Sequence, residues 1–140
     1  MKRFMPAFLF VLVFAAIPLQ AQVRWGARAG VVEGGPMIGG DLVLAMGGGF
    51  IFNPGVEISE DLISTNADVH YDIEINRDAA FWVGSGIALL NPEDQDLDVG
   101  VNLIAGIGTR RSGHIIYTQL KMTASADSEN YTTLAVGIRF

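Results

Sequence analysis

The sequence predicts an all-β protein in which an N-terminal signal peptide precedes one eight-stranded antiparallel up-and-down transmembrane β-barrel. Three observations lead there. The chain opens on a charged, then apolar, then small-residue leader; the remainder divides into an even number of short segments with two-residue alternation; and the polar faces of those segments are dotted with glycine and alanine.

The leader is MKRFMPAFLFVLVFAAIPLQAQ. Lys2 and Arg3 precede an uncharged run of 14 residues from Phe4 to Ile17, and a small or polar stretch follows from Pro18 to Gln22. That run falls short of the roughly 20 residues of a spanning helix, so it reads as a signal cleaved after Ala21. Residues 1–21 are therefore the signal peptide and residues 22–140 the barrel domain, enough chain for one domain. No cysteine is present, which excludes disulfides, an N-terminal lipidated cysteine and thiolate chemistry. Cleavage leaves seven basic against fifteen acidic side chains, a net charge of −8, so nucleic acid is excluded as an expected partner.

Beyond residue 22 no apolar run approaches 18 residues. A membrane strand needs only about 9 to 11 residues and shows lipid every second one. Glycine, Asn-Pro and acidic clusters delimit strands near 23–32, 37–46, 50–59, 63–75, 80–90, 97–108, 114–124 and 130–140. ISTNADVHYDIEI is the clearest: Ile63, Thr65, Ala67, Val69, Tyr71, Ile73 and Ile75 oppose Ser64, Asn66, Asp68, His70, Asp72 and Glu74. In HIIYTQLKM, Tyr117, Gln119 and Lys121 share the polar face, with Ile116, Leu120 and Met122 on the other. Pro54 removes a ladder donor, so a bulge or bend is expected at Asn53-Pro54-Gly55.

Alternation alone fits two kinds of barrel: a membrane barrel with its apolar face outward, and a soluble secreted lipocalin-like barrel with its apolar face around a ligand. Gly26, Gly30, Gly100, Gly106, Ala135 and Gly137 on the polar faces favour the first. A solvated face more usually carries Lys, Glu and Thr, whereas an eight-stranded lumen is only wide enough for its own side chains.

The chain closes on LAVGIRF, with Leu134, Val136, Ile138 and Phe140 on one face. With the leader and the eight segments, this ending resembles the small eight-stranded outer-membrane barrels, the superfamily of the OmpA transmembrane domain and OmpX-like proteins. The resemblance covers residues 22–140 and rests on pattern. It implies residence in the outer membrane of a diderm bacterium, contact with outer-membrane lipid and lipopolysaccharide, and a monomer. It also implies delivery by periplasmic chaperones to the barrel-assembly machinery, with Leu134, Val136, Ile138 and Phe140 as the assembly signal.

With both termini periplasmic, as the resemblance implies, Glu33, Glu60, Asp61, Glu93, Asp94, Asp96, Asp127 and Glu129 fall in the outer loops. Arg77, Arg110 and Arg111, with Asp78, fall in the periplasmic turns. The short outer loops leave little surface for a receptor.

The same resemblance raises lipid-modifying enzymes as an alternative, since some relatives are deacylases with a His-x-Ser pair. Here no such pair occurs; His70 lies beside Asp68 and Asp72, and Ser112-Gly113-His114 has the reverse order at a turn. Asp94, Asp96 and Asp98 alternate like the start of a calcium loop, but Val99 and Ala105 stand where an EF-hand needs Gly and Glu. A divalent-ion site near the lipopolysaccharide headgroups is the remaining option there, against a solvated acidic loop. Gly47-Gly48-Gly49 lacks the Lys and Ser/Thr of a phosphate loop and reads as a turn.

No catalytic residue, cofactor or metal is expected. The expected site is a charge network inside the lumen, arranged by height: Arg24 and Arg139 with Asp72 and Glu74 near the periplasmic end, Arg28 with Asp41 and Asp68 above them, and Lys121 with Glu57 and Asp98 toward the outer end. His70 completes the set, and four bases against six acids leave room for a charged histidine or a held cation. The expected role is structural or unassigned, without enzymatic activity.

Overall fold

Eight of the alternating segments become eight strands. The computed structural model describes residues 23–93, 95–127 and 129–140; the expected signal peptide, residues 1–21, lies outside them. The strands are β1 (Val23–Val32), β2 (Gly35–Gly47), β3 (Phe50–Ser59), β4 (Leu62–Glu74), β5 (Ala79–Pro92), β6 (Asp98–Arg111), β7 (His114–Ser125) and β8 (Tyr131–Arg139). Each pairs antiparallel with its neighbours in the chain, and β1 closes on β8 from Gly26↔Arg139 to Val32↔Thr133, giving a closed barrel.

Turn chemistry explains the tight hairpins. Glu33 and Gly34 between β1 and β2, and Ser112 and Gly113 between β6 and β7, all have positive φ, the two-residue turn whose twist matches that of the flanking strands. Gly48 and Gly49 do the same between β2 and β3, beside a register shift at Ala45/Gly47. The turns after β2, β4 and β6 share one end of the barrel with Val23 and Arg139, here the near end. The connections after β1, β3, β5 and β7 form the far end.

The faces divide as the alternation requires. Trp25, Ile38, Ile87, Leu103 and Val136 project outward and are exposed, while Asp41, Asn66, Asp68, Asn102, Lys121 and Arg139 are buried inside. A barrel built around an apolar ligand would have the opposite arrangement. On β6 the outward residues from Val99 to Ile107 cover about 27 Å of strand, roughly 20 Å along the axis at a tilt of about 40°.

Pro54 does not bend the strand out of the barrel. β3 runs unbroken, with Pro54 opposite Ala67 on β4. Asp72 N donates to Gly49 O, which sets the phase of the β3–β4 ladder and turns the Pro54 nitrogen toward β2. The flanking pairs Asp41↔Gly55 and Leu44↔Phe52 place Leu42 opposite it. The carbonyl of Leu42 accepts instead from the side chain of Asn53 at 2.5 Å, so a neighbouring amide supplies the donor that proline lacks.

Candidate functional site

The lumen is a charged layer held between two apolar plugs. At the far end Leu62, Ala88 and Leu90 pack together with Val32 and Tyr131, and toward the near end Trp82, Ile104 and Tyr117 pack with Ile115. Between them lie the buried charge-bearing side chains of Arg28, Asp41, Glu57, Asp68 and Lys121, and Arg139 packs over the near plug.

Four of the interior pairs follow one geometric rule: two polar side chains on next-nearest strands meet across an inward glycine on the strand between them. Arg139, Gly26 and Asp41 lie in one register row over β8, β1 and β2, and Arg139 Nη2 is 3.6 Å from Asp41 Oδ2. A Cβ on Gly26 would stand 2.3 Å from Asp41 Oδ1. Arg28, Gly39 and Glu57 form the corresponding row over β1, β2 and β3, with Arg28 Nε 3.3 Å from Glu57 Oε1. Asn102 reaches across Gly86 to donate to Asp68 Oδ1 at 2.7 Å. Trp82 Nε1 donates to Gln119 Oε1 at 3.2 Å across Gly106, on which the indole lies.

Lys121 spans the lumen differently. From β7 it pairs with Glu57 on β3 and donates to Asn66 Oδ1 at 3.2 Å. Glu57 thus joins Arg28 and Lys121, and Arg28 has a second acid in Asp41 at 4.0 Å. Asn102 extends the network by donating to Asn66 at 2.9 Å and accepting from Thr123 at 2.7 Å. Asn53 ties the wall to it by donating to Asp41 Oδ2 at 2.9 Å. Near the near end the Arg139 guanidinium carbon lies 4.9 Å from the Trp82 ring centroid and 4.6 Å from that of Tyr117.

The rows change several of the pairings expected from height. Arg24 is exposed at the near rim and lies outside the buried network. Glu74 is exposed as well and accepts from Arg110 Nη1 at 3.2 Å, not from Arg24 or Arg139. Arg139 meets Asp41, and Asp72 meets His70, whose Nε2 is 3.3 Å from Asp72 Oδ1. Arg28 pairs with Asp41 and Glu57, while Asp68 accepts from Asn102. Asp98 sits near the far rim, bonded to Ser125 Oγ and to the backbone amides of Val99 and Asp127. The cause is strand tilt. Residues at one height are not in one register row, and an inward glycine extends reach along the row.

His70 is buried beside Trp82, ring centroids 5.9 Å apart, and His114 is exposed at the near rim. Asp94 lies outside the described residues, and among the described residues no group of three His, Cys, Asp or Glu is placed to hold a metal ion. Sequence reasoning gave Asn53 no part beyond the expected bend at Pro54 and did not single out Trp82, Leu62 or Leu90. The segment AAFWVGSGIALL is apolar at both parities, so alternation gives no contrast there.

The outer wall carries its aromatic residues at the near end. Trp25 stacks on Phe140 at 4.7 Å, His114 meets Phe140 edge-on at 5.3 Å, and Phe50 meets Tyr71 at 5.1 Å. Phe140 N donates to Trp25 O at 2.9 Å, extending the β8–β1 closure by one residue.

No known protein family and no curated protein matches the sequence. Solved structures do match the fold. The N-terminal β-barrel domain of Pseudomonas aeruginosa OprF superposes with a TM-score of 0.71 at 17% identity, covering 86% of this chain and 100% of that one. Neisserial surface protein A gives 0.66 at 12% identity, over 84% and 94%. The outer membrane enzyme PagL gives 0.63 at 12% identity, over 84% and 98%. The chain has the fold of the small outer-membrane β-barrels. At these identities the likeness is one of fold.

Proposed function

We propose that this chain is a small outer-membrane β-barrel whose lumen is closed to solutes and whose role is structural, without enzymatic activity. One observation carries the reading: the apolar residues of the wall face outward and the ionised residues face in. Such a wall is stable only where its surroundings are apolar, and closure leaves no strand edge unpaired in lipid. The acidic far end and the basic, aromatic near end support an orientation with the termini in the periplasm.

Two apolar plugs with an ion-paired layer between them support a non-conducting lumen. The cavity beside Val32, Met37, Glu57, Leu62 and Ser64 is about 10 Å3, room for one water at most. The likeness to PagL does not carry an enzymatic reading, because the His70–Asp72 pair lies within the lumen against Trp82, behind the wall that a lipid ester would meet.

Cell fractionation tests the localisation. The protein should appear in the outer-membrane fraction, require detergent for release, and migrate differently on gels before and after boiling. Recovery in the soluble periplasmic fraction without detergent would overturn the reading. Loss or gain of an acyl change on lipid A in a deletion strain would overturn the non-enzymatic part alone.

A further inference from the structure

Gly40 differs from the other glycines of the strands. The inward glycines Gly26, Gly39, Gly86 and Gly106 admit no Cβ, which would stand 2.7 Å or less from a neighbouring atom. Gly40 faces outward from the middle of β2, where a Cβ would meet only Gly26 O at 3.6 Å, and its backbone is not in the left-handed region. Nothing among the described residues requires a glycine there. A glycine inside a strand weakens it, and often marks a place where another molecule approaches the backbone closely.

Gly40 forms the floor of a depression in the outer wall, with a volume of about 400 Å3. It lies in register with Ala27 on β1 and Val56 on β3. Toward the near end the depression is bounded by the pair Trp25↔Leu42, and toward the far end by the row of Ala29, Ile38 and Ile58. Trp25, Ile38 and Ile58 are exposed, so the depression is continuous with the surface that meets lipid. Apart from the Trp25 indole the outward side chains around it are aliphatic, with no charge to offer a headgroup or a polar peptide. A second barrel is convex and would reach such a dip with one or two side chains, far below the roughly 800 Å2 per partner of a stable interface. A flexible hydrocarbon chain fits it.

We propose that this depression holds one acyl chain of a glycerophospholipid from the leaflet at the near end, its methylenes over Gly40 between Trp25 and Leu42 on one side and Ile38 and Ile58 on the other. The Trp25–Phe140 stack lies at the level where aromatic rings sit among headgroups, so a chain that starts there passes Trp25 on its way to Gly40. The site rests on the reading of the chain as an outer-membrane barrel. It adds a preferred lipid contact on the β1–β2–β3 side, held by dispersion contacts in place of charge.

The test is extraction of the protein into uncharged detergent from bilayers of dioleoylphosphatidylcholine brominated at its double bonds. Native mass spectrometry counts the retained lipid, and tryptophan emission is read on the same sample. One lipid should be retained per barrel. Trp82 is buried in the lumen, so bromine should quench Trp25, and in Trp25→Phe the remaining emission should be the same with brominated and plain lipid. Gly40→Leu, which fills the floor, should lower retention about three- to tenfold through the loss of roughly ten carbon–carbon contacts. Ile38→Ala, which lowers one wall and adds no bulk, should lower it as well. Ala105→Leu, which adds bulk on the outward face of β6, should not. Unchanged retention in Gly40→Leu, equal loss in Ala105→Leu, or quenching that persists in Trp25→Phe would overturn the site. So would another occupant: a dimer that Gly40→Leu dissociates, or a mass that includes residues 1–21 with no lipid held. Heat-modifiable migration, measured on every variant, keeps the two ideas separate: a folded outer-membrane barrel that retains no lipid refutes the depression alone, and a protein that never enters bilayers refutes the outer-membrane reading.

Discussion

Glu57 is the residue on which the interior charge layer turns, and substituting it should cost more than substituting either of its cationic partners. It lies between Arg28 at 3.3 Å and Lys121, with side-chain exposures of 6%, 1% and 2%. Glu57→Gln leaves two buried cations short of an acid; Arg28 keeps Asp41 at 4.0 Å and Lys121 keeps the Asn66 oxygen at 3.2 Å. Breaking a buried pair by removing one partner costs about 3 to 5 kcal/mol, and the loss for Glu57→Gln should lie at the upper end of that range. Lys121→Met should lie at or below the lower end, because Glu57 retains Arg28. The double variant should lose less than the sum of the two, with a coupling of about 1 to 3 kcal/mol. Urea unfolding in detergent or lipid vesicles, followed by tryptophan fluorescence, gives the three values. Additive losses, or a larger loss for Lys121→Met than for Glu57→Gln, would refute the pairing.

Three further expectations follow from the same geometry. Gly106→Ala would place a Cβ 2.2 Å from the Trp82 ring, so it should cost about 1 to 3 kcal/mol in the same unfolding measurement and red-shift or broaden the tryptophan emission; an unchanged midpoint would show that the indole lies elsewhere. Asn53→Ala removes the donor to the Leu42 carbonyl inside the wall and should cost about 1 to 3 kcal/mol, with faster amide exchange on β2 and β3 than on β6 and β7; uniform exchange would contradict the repair of the Pro54 gap. Phe140→Ala should lower the amount of protein in the outer membrane far more than Phe81→Ala, because Phe140 stacks on Trp25 and extends the closing ladder, and equal yields on immunoblots would contradict a special role for the last strand.

The strands and their faces were legible because period-2 alternation is a local signal. β1 and β3 match residue for residue, and the outward set on β8 is the one that LAVGIRF presents. The lumen was legible only in membership. Arg28, Asp41, Glu57, Asp68, His70, Lys121 and Arg139 are all buried as their parity requires, yet their partners depend on tilt and register, which no single strand encodes. The glycines were the missing key. Gly26 and Gly106 read in sequence as small fillers beside large groups, Gly39 and Gly86 were not singled out, and only the ladders show that each of the four lies between the two side chains it allows to meet. Arg24 and Glu74 have inward parity but lie so near a strand end that the rim, not the lumen, receives them.

The orientation of the wall is tested most directly by spin labels placed one at a time along β6 in reconstituted bilayers, which the absence of native cysteines makes straightforward. Labels at Val99, Leu103 and Ile107 should show high collision rates with oxygen, the lipid-soluble relaxant, and low rates with a water-soluble nickel chelate. Labels at Asn102 and Ile104 should be protected from both. The reverse alternation, or chelate access at the outward positions, would contradict a barrel that meets lipid with its apolar face.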